Sequence, residues 1–281
     1  MAVLDELKKY NFNFSKKFGQ NFIFDTNLLV SIVSSANLPD NAQVLEIGTG
    51  AGTLTKIIAD KASKVISFEI DPNLREYLTD KFADTPNVDL VFQDVLSVAT
   101  DKIDDMFDGQ YHMIANLPYY ITTPIIFKFL EESKKLKTLT IMVQQEVADR
   151  LIAKENTADY GAITASIGTI GEAKIVKRIN RKMFTPAPNV DSAIVQITID
   201  RNKYKIDDIK TLRATIKSAF AMRRKTLSNN LKASFGLSTD AINEILTEID
   251  LPTSVRGEVL SPAKFVELSN AIFARKTQSN Q

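Results

Sequence analysis

Residues 43–62 read QVLEIGTGAGTLTKIIADKA, and they constrain the fold more than any other stretch. A short apolar run, Gln43–Gly48, ends at a glycine. Gly48, Gly50 and Gly52 then alternate with small residues before the helical TLTKIIADKA. A strand that turns tightly into a helix opens a βαβ unit. The alternation repeats downstream. KVISFEI (64–70) precedes NLREYLTDKF, VDLVFQD (88–94) forms a third strand, and YHMIAN (111–116) precedes PIIFKFLEES. TLTIMVQQEVADRLI (138–152) starts as a strand and turns helical, while AKIVKRI and SAIVQITI read as a closing antiparallel pair. Strands alternating with helices of about ten residues predict a largely parallel α/β sheet.

Ahead of this pattern, KKFGQNFIFD (16–25) reads as a loop. Its Asp25 is placed to cap a helix carrying Leu28, Leu29, Ile32 and Val33 at helical spacing. Beyond Asp200 the pattern is helical throughout. The predicted organisation is an α/β domain over residues 1–200 and a smaller all-helical domain over 201–281.

Composition removes several classes of function. The 281 residues contain no Cys and one His, which excludes a disulfide scaffold and a Cys-based zinc site and disfavours a Ser/His triad. His112 sits inside an apolar run and reads as structural, and no metal is expected. No run of about 18 apolar residues is present, nor a signal-peptide core, so a soluble cytoplasmic protein is expected. The net charge of +1 hides an asymmetry. Residues 1–171 carry 16 Lys and Arg against 23 Asp and Glu, whereas residues 172–281 carry 19 against 11. A basic C-terminal part is the pattern of a polyanion binder.

The glycine turn identifies a nucleotide-type site, because glycines let backbone approach a ligand with no Cβ in the way. A dinucleotide G-x-G-x-x-G starting at Gly48 needs glycine at position 53, where the chain has Thr53. The pattern is instead E-x-G-x-G-x-G from Glu46, typical of S-adenosylmethionine (SAM) binding, with Glu46 ordering the loop or, through water, the ammonium. Glu69 ends the second strand and can accept both hydroxyls of a ribose. Asp94 ends the third, where it can accept from an adenine amino group or cap the next turn. The fourth strand ends in Asn116-Leu117-Pro118-Tyr119. Its oxygen acceptors can hold both hydrogens of an exocyclic amine, and an aromatic ring can stack on the base that carries it. Tyr120 has no assigned task and is expected to pack. In MFTPAPNVDSAIVQI (183–197), Phe184 can supply a second stacking face for a flipped base. Arg223, Arg224 and Lys225, with Lys177, Arg178 and Arg181 upstream, suit phosphate contacts.

Together these elements resemble the ribosomal RNA adenine N6,N6-dimethyltransferases. The likeness runs from KKFGQNFIFD through EIGTGAGTLT, ANLPYYITTP and FTPAPNVDSA to RRKTLSNN, most of the chain, and is nearest to the bacterial small-subunit branch. The resemblance implies a Rossmann-like, class I SAM-dependent fold with a mostly parallel sheet, an antiparallel last strand and a helical C-terminal domain. It also implies two methyls on each of two adjacent adenines near the 3′ end of small-subunit (16S) rRNA, late in assembly, on a pre-30S particle; a monomer is expected, as nothing in the sequence demands a dimer. By the same likeness Asn21 and Ile23 would meet the cofactor with Gly48, Gly50, Glu69, Asp94 and Asn116. Family members often have Leu at the position of Ile23, and a backbone contact survives that change. Two other readings stay open: a non-catalytic assembly factor on this scaffold, and a large-subunit (23S) adenine methylase of the macrolide-resistance type.

Overall fold

The computed structural model of the chain describes residues 2–10, 22–23, 25–185 and 189–279. It begins with α1 (Ala2–Lys9), β1 (Phe22–Ile23), α2 (Thr26–Ser35), β2 (Gln43–Ile47), α3 (Thr53–Ala59), β3 (Lys64–Phe68) and α4 (Arg75–Lys81). Next come β4 (Val88–Val91), α5 (Thr100–Asp104), β5 (Tyr111–Asn116), α6 (Thr122–Glu132), β6 (Leu136–Gln144) and α7 (Gln145–Leu151). Then follow α8 (Ala162–Ile170), β7 (Gly171–Ile179), β8 (Phe184–Thr185), β9 (Ser192–Ile199), α9 (Ile209–Ala219), α10 (Leu227–Phe235), α11 (Thr239–Glu248) and α12 (Pro262–Ser279).

Seven strands form one sheet in the order β4-β3-β2-β5-β6-β9-β7, and β1 with β8 forms a small antiparallel pair. The β4-β3-β2-β5-β6 part is parallel, and β9 runs antiparallel to β6. Apolar runs such as Val44-Leu45 and Met113-Ile114-Ala115 are wholly buried, as central parallel strands covered on both faces require. Ile47 pairs with Phe68, and Phe68 with Val91, so β2, β3 and β4 end level. The residues that follow them gather at the C-terminal edge of the sheet, where open α/β sheets bind ligands.

Two strands are shorter than the apolar runs predict. β3 stops at Phe68 and β4 at Val91 because side chains take over the turns. Glu69 Oε1 accepts from the Asp71 amide at 2.8 Å, and Asp94 Oδ1 accepts from the Leu96 amide at 2.9 Å. Asp25 caps α2 through the Leu28 amide at 3.0 Å, and Leu28, Leu29, Ile32 and Val33 are its buried face. His112 lies inside β5, its Nδ1 2.8 Å from Thr138 Oγ1, and burial lowers its pKa.

The chain divides into two compact units, 1–148 with 174–199, and 149–173 with 200–281. The predicted single boundary near Asp200 is therefore corrected: residues 149–173 belong with the helical C-terminal part. The reason is apolar packing within that unit. Tyr160 and Ala165 share a buried cluster with Leu212, Ile216, Leu231 and Phe265. The Tyr160 hydroxyl donates to the Leu260 carbonyl at 2.9 Å. Gly168 lies so near Pro262 that a Cβ would sit 2.4 Å from its ring, which brings α8 and α12 close.

Candidate active site

A cavity of about 290 Å³ opens at the C-terminal edge of the sheet. One wall is the loop after β2. Gly48, Gly50 and Gly52 all take positive φ (83°, 54° and 70°), the region where side chains are strained. Gly52 is constrained twice, since a Cβ there would stand 2.7 Å from the Phe82 ring.

The loop is held from two sides. Inside, Glu69 Oε2 accepts from the Gly50 amide at 2.7 Å. Outside, the Ala51 carbonyl accepts from Lys81 Nζ at 2.9 Å and from the Tyr77 hydroxyl at 3.1 Å. Tyr77 and Leu78 form an apolar patch with Leu7 of α1 and Ala51 itself, so α4 braces the loop. Burial lowers the Lys81 pKa, and burial raises that of Glu69.

Glu46 does not line this cavity. Its side chain is fully buried (0% exposed) and accepts at Oε2 from Thr55 and Ser67, each at 2.6 Å. The Ser67 proton is thereby used, so Thr49 Oγ1 donates to Ser67 Oγ at 2.6 Å. The carboxyl thus ties β2 to β3 and α3, and reaches the loop through two hydroxyls. Its Oε1 is buried with no hydrogen-bond partner. An ionised carboxylate so placed would be costly, and burial pushes the pKa up to about 8.

Below the ordinary value of 4.5 the group is neutral in folded and unfolded chains alike and costs nothing. As pH rises from there toward about 8, the unfolded chain ionises and the folded one does not, so stability is lost. Glu46→Gln keeps the acceptor oxygen and cannot ionise. Denaturation midpoints of the two proteins are expected to separate as pH rises from 4.5 toward about 8, the variant gaining on the order of a few kcal/mol. Parallel curves would show that Glu46 is ionised in the native state.

The rest of the cavity comes from the ends of β3, β4 and β5. Glu69, Asp94, Asn116, Leu117 and Pro118 all line it. So do Ile23, whose carbonyl accepts from Thr53 Oγ1 at 3.2 Å, and the apolar Ile70, Val95 and Leu96. Sequence reasoning missed those three. Ile70, left 45% exposed directly after the Glu69 carboxylate, is the one a strand-end reading could have flagged. A polar edge of carboxylates, an apolar slot and glycines at close approach suit a nucleoside-bearing cofactor. Among the described residues, no group of three or more His, Cys, Asp and Glu is placed to hold a metal.

Two predicted aromatic roles change. Phe184 does not line the cavity. It is 4% exposed and packs in the core with Ile23, Leu28, Met142 and Ile194, because β8 pairs with β1 there. Tyr120, expected to pack, is exposed and lines the cavity mouth. The roles assigned to Asn21 and to the Tyr119 ring lie outside the described residues.

The basic residues also divide. Lys177 and Arg178 on β7, and Arg181 after it, are exposed. Lys177 Nζ donates to Ser31 Oγ at 3.0 Å, and Arg181 Nη1 to the Asn189 carbonyl at 2.8 Å. Arg224 and Lys225 are exposed in the turn before α10. Arg223 is exposed too, its side chain 48% so, but its guanidinium is already engaged within the protein. Its guanidinium donates to the Ala158 and Tyr160 carbonyls at 2.8 and 2.9 Å and pairs with Glu258 at 3.4 Å. The neighbouring KTLSNN is structural as well: Thr226 caps α10, and Asn230 Nδ2 donates to the Ala219 carbonyl at the end of α9 and to the Met222 carbonyl in the turn after it.

The ribosomal RNA adenine dimethylase family model matches residues 11–272. A ribosomal RNA small subunit methyltransferase A from Clostridioides difficile (strain 630) is 42% identical over 96% of this chain and 95% of its own length. A protein of the same name from Geobacillus sp. (strain WCH70) is 41% identical over 95% of this chain and 94% of its own. Among solved structures, a dimethyladenosine transferase from Plasmodium falciparum superposes with a TM-score of 0.75 at 23% identity, covering 88% of this chain and 95% of that one. The 23S rRNA methyltransferase ErmE gives 0.66 at 25% identity over 90% of this chain and 99% of its own. With the family matched over nearly the whole chain, and a class I methyltransferase sheet carrying the site, the protein belongs to the ribosomal RNA adenine dimethylases, which use SAM.

Proposed function

We propose that the protein places two methyl groups on N6 of each of two adjacent adenines near the 3′ end of small-subunit rRNA, late in subunit assembly and as a monomer in the cytoplasm. The observation that carries this reading is the convergence of Glu69, Asp94 and Asn116-Leu117-Pro118 from three successive parallel strands on one cavity beside the glycine loop. Relatives about 40% identical, named for the small subunit, favour that substrate over large-subunit rRNA.

The cofactor supplies, when bound, an electrophilic methyl on a positively charged sulfur. Glu69 takes the ribose hydroxyls, and Asp94 takes the adenine amino group of the cofactor. Ile23, Gly48 and Gly50 offer close backbone, and Ile70 and Leu96 flank the base. On the acceptor side, the Asn116 side-chain oxygen and the Leu117 carbonyl hold the two amine hydrogens of the substrate adenine. An adenine amine is a poor nucleophile because its lone pair is shared with the ring, and two in-line acceptors draw it toward pyramidal geometry. Once methylated the amine is strongly acidic, so it loses its proton without a dedicated base. Stacking of the flipped adenine falls to Tyr119; Phe184 would have to leave its buried position to touch the base. Arg224, Lys225, Lys177, Arg178 and Arg181 grip phosphates, whereas Arg223 keeps its internal bonds.

Labelled SAM offered with unmodified small subunits and, separately, with large-subunit rRNA tests the reading. Label is expected in small-subunit dimethyladenosine. Label confined to large-subunit RNA would overturn the substrate, and SAM binding without transfer to either would leave a non-catalytic factor.

A further inference from the structure

Tyr120 is the most exposed large apolar or aromatic side chain among the described residues, at 59%. Single exposed side chains are ordinary, but this one stands on stiff backbone at the mouth of the active-site cavity. Pro118 fixes φ at −56°. The Pro118 carbonyl accepts from the Ile121 amide at 3.1 Å and from Thr122 Oγ1 at 3.3 Å. Thr122, Ile125 and Ile126 are buried and anchor the helix that follows. The exposure therefore reflects position and not a loose segment. The Tyr120 hydroxyl makes no hydrogen bond to a described residue, so none of them ties down the exposed side chain.

Sheet order says which ligand that side chain serves. The glycine loop, Glu69 and Asp94 follow β2, β3 and β4, all on one side of β5. Tyr120 follows β5 itself, four residues beyond Asn116, and the other neighbour of β5 is β6. It thus leaves the sheet from the strand that carries the amine acceptors. A base held at Asn116 brings its chain neighbours to this part of the rim.

We propose that Tyr120 touches the substrate, its ring being a stacking platform for the nucleobase next to the target adenine in unpaired RNA. Every base has a π face, so such a platform needs no hydrogen-bond readout, and a two-torsion side chain on fixed backbone loses little entropy in forming it. The proposal rests on the functional reading above and adds a contact to it.

Tyr120→Ala and Tyr120→Phe separate the possibilities. The probe is a reconstituted, unmodified small ribosomal subunit with 2-aminopurine beside the target adenine. Its fluorescence reports stacking without methyl transfer, and calorimetry with S-adenosylhomocysteine reports the cofactor side. The unaltered protein is expected to quench the probe. Tyr120→Ala should lose the quenching and raise KM for the subunit about tenfold, with kcat and S-adenosylhomocysteine affinity within twofold. Tyr120→Phe should restore both. Unchanged quenching in Tyr120→Ala, weakened S-adenosylhomocysteine binding with normal quenching, or a phenylalanine variant as poor as alanine would each overturn the contact alone. Quenching by the unaltered protein without any methyl transfer would overturn the functional reading alone. An unaltered protein that leaves the probe unquenched overturns the contact, whatever its methyl transfer.

Discussion

Asn116→Ala is expected to lower kcat by about 10²- to 10³-fold, with KM for the subunit and affinity for S-adenosylhomocysteine changed by no more than severalfold. The side-chain oxygen is the acceptor at the end of β5 on the functional reading, and β5 is held on both flanks by parallel neighbours. Its removal leaves the strand intact. What disappears is an interaction that strengthens as the amine pyramidalises, so the loss falls on the transition state and not on binding. The measurement is steady-state transfer of labelled methyl, with circular dichroism to confirm folding. A variant that keeps more than a tenth of wild-type kcat would remove Asn116 from the chemistry.

The second large effect concerns Glu69. Its two oxygens accept from two backbone donors, Gly50 N–H at 2.7 Å and Asp71 N–H at 2.8 Å. Glu69→Gln looks conservative and is not. Whichever way the amide turns, its NH₂ faces a backbone N–H, so donor opposes donor and one of the two turns is lost. Hydrogen bonds to a charged acceptor contribute about 1.5–3 kcal/mol each, and every 1.4 kcal/mol is about tenfold in affinity. SAM binding is therefore expected to weaken about a hundredfold, with the apo protein still folded because Lys81 and Tyr77 hold the outer side of the loop. Calorimetry on the variant checks this. Affinity within threefold of wild type would show that the Gly50 contact is dispensable.

Much of this molecule was legible from local pattern. The parallel strands and the glycine turn follow from periodicity and from positions that need positive φ. Asp25 as a helix cap and the turn-forming carboxylates follow from short-range hydrogen bonding. What was misread depends on partners distant in sequence. Arg223 looks like a phosphate ligand until the Ala158 and Tyr160 carbonyls, more than sixty residues away, engage it. Phe184 reads as a presented ring, yet pairing of β8 with β1 carries it into the core. Tyr120 reads as core, yet the turn after Pro118 sets it at the cavity mouth.

Residues 149–173 show the same division most clearly. Their sequence continues an α/β pattern without interruption, and only the apolar contacts of Tyr160 and Ala165 with α9, α10 and α12 place them in the helical unit. Glu46 is the chemical counterpart: its place in the strand was readable, but its charge state was not, because burial is a property of the folded surroundings. The sequence alone determined the α/β class, the glycine loop and the order of polar strand ends, since those rest on backbone preference and two-residue or helical periodicity. Tertiary structure alone decided which side chains reach the cavity, which are consumed as internal ties and which acid stays neutral. Long-range packing sets burial and hydrogen-bond partners, and no local pattern encodes either.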